Sequence, residues 1–146
     1  MAGESTFDGA SSERRELLNV DLPATADAVA DVSDKVAAIL LDLGIPEEKQ
    51  LEISLALQEA LANAVVHGCG NDSSKKVRCR LDGDKQGRIL IIVSDPGPGM
   101  EVNPTLVPKL SPNLYQDHGR GIYLIRRLMD DVKFERGGSE IHMWKY

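Results

Sequence analysis

Glu59, Asn63 and His67 recur at four-residue intervals in the run Glu59-Ala-Leu-Ala-Asn63-Ala-Val-Val-His67. On a helix that spacing stacks the side chains one above another. A carboxamide oxygen such as that of Asn63 suits a hard cation like Mg²⁺, which takes oxygen ligands and keeps several waters. Glu59, one turn away, is placed to accept a proton from a nucleophile, directly or through a water. A second run, Asp95-Pro96-Gly97-Pro98-Gly99, directly follows an apolar strand-like segment. A carboxylate there can accept a hydrogen bond from an exocyclic amine, such as the 6-amino group of adenine. The glycines let a ligand approach the backbone. A third run, His118-Gly119-Arg120-Gly121-Ile122, opens a helical pattern. Free N–H groups at a helix start favour anions, and Arg120 adds positive charge toward phosphate.

Each run alone is an ordinary helix pair, turn or helix start. The third is neither a Walker loop nor a dinucleotide fingerprint. Together, and in this order, they supply a metal-and-base helix, an adenine-reading loop and a phosphate-binding helix start. That set predicts a Mg-ATP site.

The elements that must position these residues are legible from periodicity. Arg14 to Leu22 reads as a strand with Leu18, Val20 and Leu22 on one face and Pro23 at its end. Val29, Val32, Val36, Ile39, Leu40 and Leu43 recur at helical spacing and predict a helix over 26–43, with Gly44 just past its end. A second helix starts near Pro46, carries Glu47 and Glu48 in its first turn and reaches Val66 or His67. Its core stripe is Ile53, Leu57, Ala60, Leu61 and Ala64. Glu52, Glu59, Asn63 and His67 fall within about 80° of each other on a different face. Strands are predicted at 77–82 and 88–94 around a turn at 83–87, a helix at 119–129, and a closing hairpin of 132–135 and 140–146 around Gly137-Gly138. The aperiodic, proline-bearing stretch between Asp95 and His118 reads as a loop, with a lid at about 100–118. The order β-α-α-β-β-loop-α-β-β implies an α+β fold with helices on one face of a mostly antiparallel sheet.

Composition sets the bounds. The chain has 146 residues, enough for one domain with a real core. Residues 1–12 are small and polar and read as a flexible tail, leaving 13–146 as a single domain. The net charge of −6 disfavours a nucleic-acid partner. No apolar run approaches the length of a membrane span, and no signal core opens the chain, so a cytoplasmic location away from membranes is expected. Cys69 and Cys79 lack zinc-site spacing and are expected to be buried, reduced thiols.

On these motifs the chain resembles the GHKL, or Bergerat-fold, ATPase superfamily. The family's N-box is matched by Glu59, Asn63 and His67, its Asp-x-Gly-x-Gly box by Asp95, Gly97 and Gly99, and its second glycine box by Gly119 and Gly121. The resemblance covers about 14–146. Within the superfamily the chain is most similar to the stand-alone anti-sigma-factor serine/threonine kinases, through EALANAVVHG and through GRGIYLIRRLMDDV followed at once by a hairpin.

The resemblance implies a two-layer α/β sandwich whose mostly antiparallel mixed sheet carries three helices on one face. It implies that Glu59 is the general base and that Asn63 coordinates Mg²⁺. Asp95 would bind adenine, with Gly97 and Gly99 shaping the pocket. His67 and His118 would belong to the nucleotide site, and Gly119, Arg120, Gly121 and Ile122 would meet the phosphates through backbone amides. The implied activity is transfer of phosphate from ATP to a serine or threonine of a small antagonist protein. The implied partners are that antagonist, a sigma factor and a second copy of the chain. Two other readings share the motifs: a non-catalytic ATP-binding switch and a histidine-kinase-type ATPase domain. Glu59 favours catalysis over the switch. No phosphoacceptor-histidine helix pair is seen ahead of the site, which disfavours the histidine kinase.

Overall fold

The computed structural model describes residues 14–98 and 118–146, the first three of the latter by backbone alone. The tail at 1–12, Gly99 and the lid up to residue 117 therefore lie outside the described residues. Strand β1 (Arg15–Pro23) leads into helix α1 (Ala26–Asp42) and helix α2 (Glu47–Asn63). A π turn (Ala64–Gly68) continues α2. Then come β2 (Lys76–Gly83), β3 (Ile89–Ser94), α3 (His118–Leu128), β4 (Asp131–Glu135), a 3₁₀ turn (Arg136–Gly138) and β5 (Glu140–Lys145).

Local chemistry sets the boundaries. The Thr25 side chain caps α1 by accepting from the Ala28 N–H at 3.2 Å. Gly44, with φ +73°, ends α1 in the left-handed region. There the Ile45 N–H donates to the Leu40 carbonyl and the Gly44 N–H to the Leu41 carbonyl, which satisfies two of the helix's last carbonyls. Pro46 then caps α2 without needing an N–H.

The sheet order is β1-β2-β3-β5-β4, and all four pairings are antiparallel. The sheet is thus antiparallel among the described residues rather than mixed. Two helices between β1 and β2 make three reversals of chain direction, an odd number, so these neighbours oppose each other. The single helix α3 makes β4 run in the same direction as β3, but β5 inserts between them. Register aligns Val20, Cys79, Val93, Ile141 and Phe134 in one row across all five strands. Leu81, Ile91, Met143 and Val132 form the next row. Against this face pack Val36 and Leu40 of α1, Ile53, Leu57 and Leu61 of α2, and Ile125 of α3, all fully buried. Each such side chain contributes roughly 1.5–3 kcal/mol by leaving water.

Both cysteines are free and buried, as expected. Burial pushes the Cys79 thiol up to about 12 and raises Cys69 as well. Among the described residues, no helix is long and apolar enough to cross a membrane.

The helices are tied to the sheet by one buried ammonium. Lys145, at the end of β5, is 9% exposed. Its Nζ donates to the Leu128 carbonyl at the end of α3 at 2.6 Å and meets Glu52 Oε1 of α2 at 2.8 Å. A cation at a helix C-terminus also opposes the negative end of the helix dipole. Lys145→Met keeps most of the volume but leaves the Leu128 carbonyl and Glu52 without their donor. The expected loss is about 1–3 kcal/mol in a denaturant titration, and a melting curve unchanged from wild type would show that the tie carries no stability.

Candidate functional site

Glu59 and Asn63 lie on the side of α2 that faces α3. They meet it at Gly121, the fourth residue of that helix. A Cβ placed on Gly121 would stand 2.8 Å from Glu59 Oε1, 3.4 Å from Asn63 Nδ2 and 3.7 Å from Asn63 Oδ1. The absence of a side chain at 121 is what lets the backbone of α3 come against both polar groups. Among the described residues neither Glu59 nor Asn63 has a side-chain hydrogen bond or ion pair. Both are half-buried. Polar groups in that position gain from a ligand that completes them.

Beyond Asn63 the helix widens into the π turn, where the Cys69 N–H donates to the Ala64 carbonyl at 2.9 Å. Such turns are rare and recur at functional sites. This one swings His67 and Gly68 toward the end of β3. There Asp95 is anchored by its N–H, which donates to the Ser139 carbonyl at 3.0 Å. Asp95 Oδ1 accepts from the Gly97 N–H at 2.8 Å, which leaves the second oxygen for a ligand. Burial raises the Asp95 carboxyl above its ordinary value, while the Gly97 N–H and the charge of Arg136 pull the other way.

The contacts around Asp95 are tight. A Cβ on Gly68 would overlap the whole Asp95 carboxyl group, and one on Gly97 would overlap the Gly68 carbonyl oxygen. Asp95, Gly97 and Gly68 therefore form one close-packed wall.

These walls line a partly open pocket. Asn63, His67, Gly68 and Asp95 supply its polar edge, and Val93, Ile122, Ile125, Phe134 and Ile141 its apolar floor. A concave apolar site with a few convergent polar groups is what a flat heteroaromatic base needs. At the other end, the first turn of α3 passes Glu59 and Asn63 at Gly121. That is where an anion is favoured.

The structure thus brings together Glu59, Asn63, His67, Asp95, Gly97, Gly121 and Ile122, and places the backbone of His118, Gly119 and Arg120 at the start of α3. Gly99 lies outside the described residues. Glu52 shares the helix face of Glu59 but sits two turns away, held by Lys145. Sequence reasoning did not single out Gly68, Ser139 or the floor residues Phe134 and Ile141. Gly68 had a usable signal, since it directly follows His67. Ser139 had none, because only sheet register puts it beside Asp95.

With this geometry in place, three comparisons bear on the chain. The family model described as a histidine kinase-like ATPase domain matches residues 22–145. The chain is 28% identical over 142 residues to "Serine-protein kinase RsbW" of Bacillus thuringiensis (strain Al Hakam), covering 92% of this chain and 87% of that protein. It is 25% identical over 138 residues to the protein of the same name in Bacillus velezensis, covering 90% and 86%. Among solved structures it is similar to the RsbU and RsbW domains of Rv1364c from Mycobacterium tuberculosis. There the TM-score is 0.61 and the identity 19%, over 88% of this chain and 31% of that longer one. It is also similar to the SiaB–SiaC complex from Pseudomonas aeruginosa, with TM-score 0.56 and 11% identity over 97% and 95%. At these identities the solved structures show the shared fold.

The three glycine contacts predict a ranked mutant series. At Gly97 an added methyl meets backbone, which cannot yield. At Gly68 it meets the short, anchored Asp95 side chain. At Gly121 it meets the far ends of longer side chains, and alanine favours the helix by about 1 kcal/mol. Gly97→Ala is therefore expected to lose the most stability, on the order of 1–3 kcal/mol by overpacking. Gly68→Ala should lose less and Gly121→Ala least. Chemical denaturation of the three variants checks the order, and a Gly121→Ala variant less stable than Gly97→Ala would contradict it.

Proposed function

The chain belongs to the histidine kinase-like ATPase domain family, the GHKL group its motifs resemble, and from that premise we propose that it is a cytoplasmic, ATP-dependent protein serine/threonine kinase acting as an anti-sigma factor. It phosphorylates a small antagonist protein and sequesters a sigma factor. Support comes from relatives named as serine-protein kinases that match along most of both chains. The observation that carries the reading is the pairing of Glu59 with Asn63 against Gly121, neither with a side-chain partner of its own. A homodimer is part of the same proposal, because β1 ends the sheet order and keeps one strand edge unpaired among the described residues.

The residues fit Mg-ATP. Among the described residues, no cluster of three or more His, Cys, Asp or Glu could cage a metal ion. Mg²⁺ does not need one, since it is commonly held by one or two protein oxygens together with phosphates and water. Asn63 is the group that would hold it. ATP would supply the phosphoryl group. The chain's own contribution is positional. Asp95 and the apolar floor orient the base. The α3 N–H groups receive negative charge without reorganising. Glu59 takes the proton from the incoming hydroxyl. Phosphoryl transfer depends mostly on such positioning and charge stabilisation.

Asp95 sets the nucleotide preference. Its free carboxylate oxygen can accept from the amino group of adenine but would face the carbonyl oxygen of guanine. A buried acceptor left unpaired costs roughly 1–3 kcal/mol. ATP and ADP are therefore expected to bind about tenfold or more tightly than GTP and GDP in calorimetry. Equal affinities would remove Asp95 from the base-reading role.

Glu59→Ala separates chemistry from binding. The variant should hold ATP within a few-fold of wild type, while transfer of labelled γ-phosphate to the antagonist protein slows by about a hundredfold or more. Transfer at the wild-type rate would show that Glu59 is not the base. A wild-type protein that binds Mg-ATP and phosphorylates no host protein would instead be a non-catalytic switch.

A further inference from the structure

Helices α1 and α2 carry eight acidic residues (Asp27, Asp31, Asp34, Asp42, Glu47, Glu48, Glu52 and Glu59) and two lysines, Lys35 and Lys49. Their net charge equals the −6 of the entire chain. Glu52 and Glu59 are spoken for by Lys145 and the pocket. The other six carboxylates are exposed, and among the described residues none is in an ion pair. Charge that folding leaves unpaired on one layer is available to a partner.

Between these two helices runs an open groove of about 540 Å³, walled by Ala26, Ala30, Ser33 and Asp34 of α1 and by Gln58, Ala62 and Val66 on the α2 side. Small residues on both walls keep it wide. At 100° per residue, Leu51, Leu55, Ala62 and Val66 fall on one outward stripe of α2, opposite its core residues. Leu51 is 60% exposed, Val66 45% and Leu55 38%. Ser33 Oγ is buried in the wall without a hydrogen-bond partner. An apolar stripe beside a groove is unusual on a surface that no other element covers among the described residues.

We propose that the α1–α2 groove is a docking site for a basic amphipathic helix of a partner protein, whose apolar face fills the groove while its lysines or arginines meet Asp34 in the α1 wall and the exposed Asp27 and Asp31 on the same stretch of that helix. The inference does not rest on the kinase reading, since it uses neither Glu59, Asn63 nor Asp95. Charge selects the occupant. A second copy presenting the same face would set one −6 layer against another. An anionic membrane or a nucleic acid would be repelled. A helix laid in a groove and read through i, i+3, i+4 and i+7 anchors is a recurring recognition mode.

The test uses the full chain without nucleotide and, as probe, a synthetic Leu/Lys amphipathic helix of about 17 residues, near the 25 Å length of α1 and α2. A peptide with Glu in place of Lys is the control. Fluorescence anisotropy should give an affinity on the order of 10 µM for the basic peptide. It should weaken at least about tenfold from roughly 50 to 300 mM salt and again in Leu55→Gln/Ala62→Gln, whose fold is verified by its melting curve. Hydrogen exchange should slow in α1 and in 51–66. Failure of the basic peptide to bind, equal binding of the acidic peptide, binding that survives the double variant, or protection elsewhere would each overturn the proposal.

Discussion

The site depends on how closely α3 can lie against α2. A side chain at residue 121 would begin 2.8 Å from Glu59 Oε1, closer than real Cβ atoms tolerate. Glycine there removes the obstacle, so the first turn of α3 lies directly against Glu59 and Asn63. The far end of α3 is fixed by a different force, the Lys145 ammonium on the Leu128 carbonyl. Because the same ammonium holds Glu52 of α2, both helices are registered against the last sheet strand. A steric allowance at one end and a charged tie at the other set the width of the pocket between them.

At the Asp95 end of the pocket, contact again replaces space. Asp95 is wedged against Gly68, and Gly97 against the Gly68 carbonyl, so the carboxylate has little freedom to turn. Fixing it costs solvation, and burial raises its pKa. For a carboxyl whose folded value lies above its unfolded one, ionisation at neutral pH opposes folding. Stability is regained as pH falls toward the folded value. The other contacts of the fold must offset this small cost. In return, the acceptor needs no reorganisation when a donor arrives, which is the physical content of a preformed site.

Much of this was legible before any coordinates. The 3.6-residue period of α2 put Glu59, Asn63 and His67 on one side, and Gly44 marked the end of α1 where a positive φ is found. What periodicity could not separate was Glu52 from Glu59, since both share a face and only the position of Lys145 along β5 tells them apart. The sequence of the π turn, Ala-Val-Val-His-Gly, carries no breaker before Gly68 and is indistinguishable from plain helix by periodicity. The expected α+β fold with its antiparallel sheet is what the structure has; no strand pair among the described residues is parallel, because β5 lies between β3 and β4, which run in the same direction. Ser139 and Phe134 were silent because their role arises from register across strands distant in sequence.

The π turn also links the two surfaces of α2. Its residues divide between them: Ala64, His67 and Gly68 line the pocket beside Asp95, while Val65 and Val66 line the α1–α2 groove. Side chains facing both surfaces thus share one short stretch of backbone, so a substitution in 64–68 reaches both walls at once. Were a groove occupant to favour one setting of Val65 and Val66, linkage would require its effect on nucleotide affinity to equal the effect of nucleotide on its own.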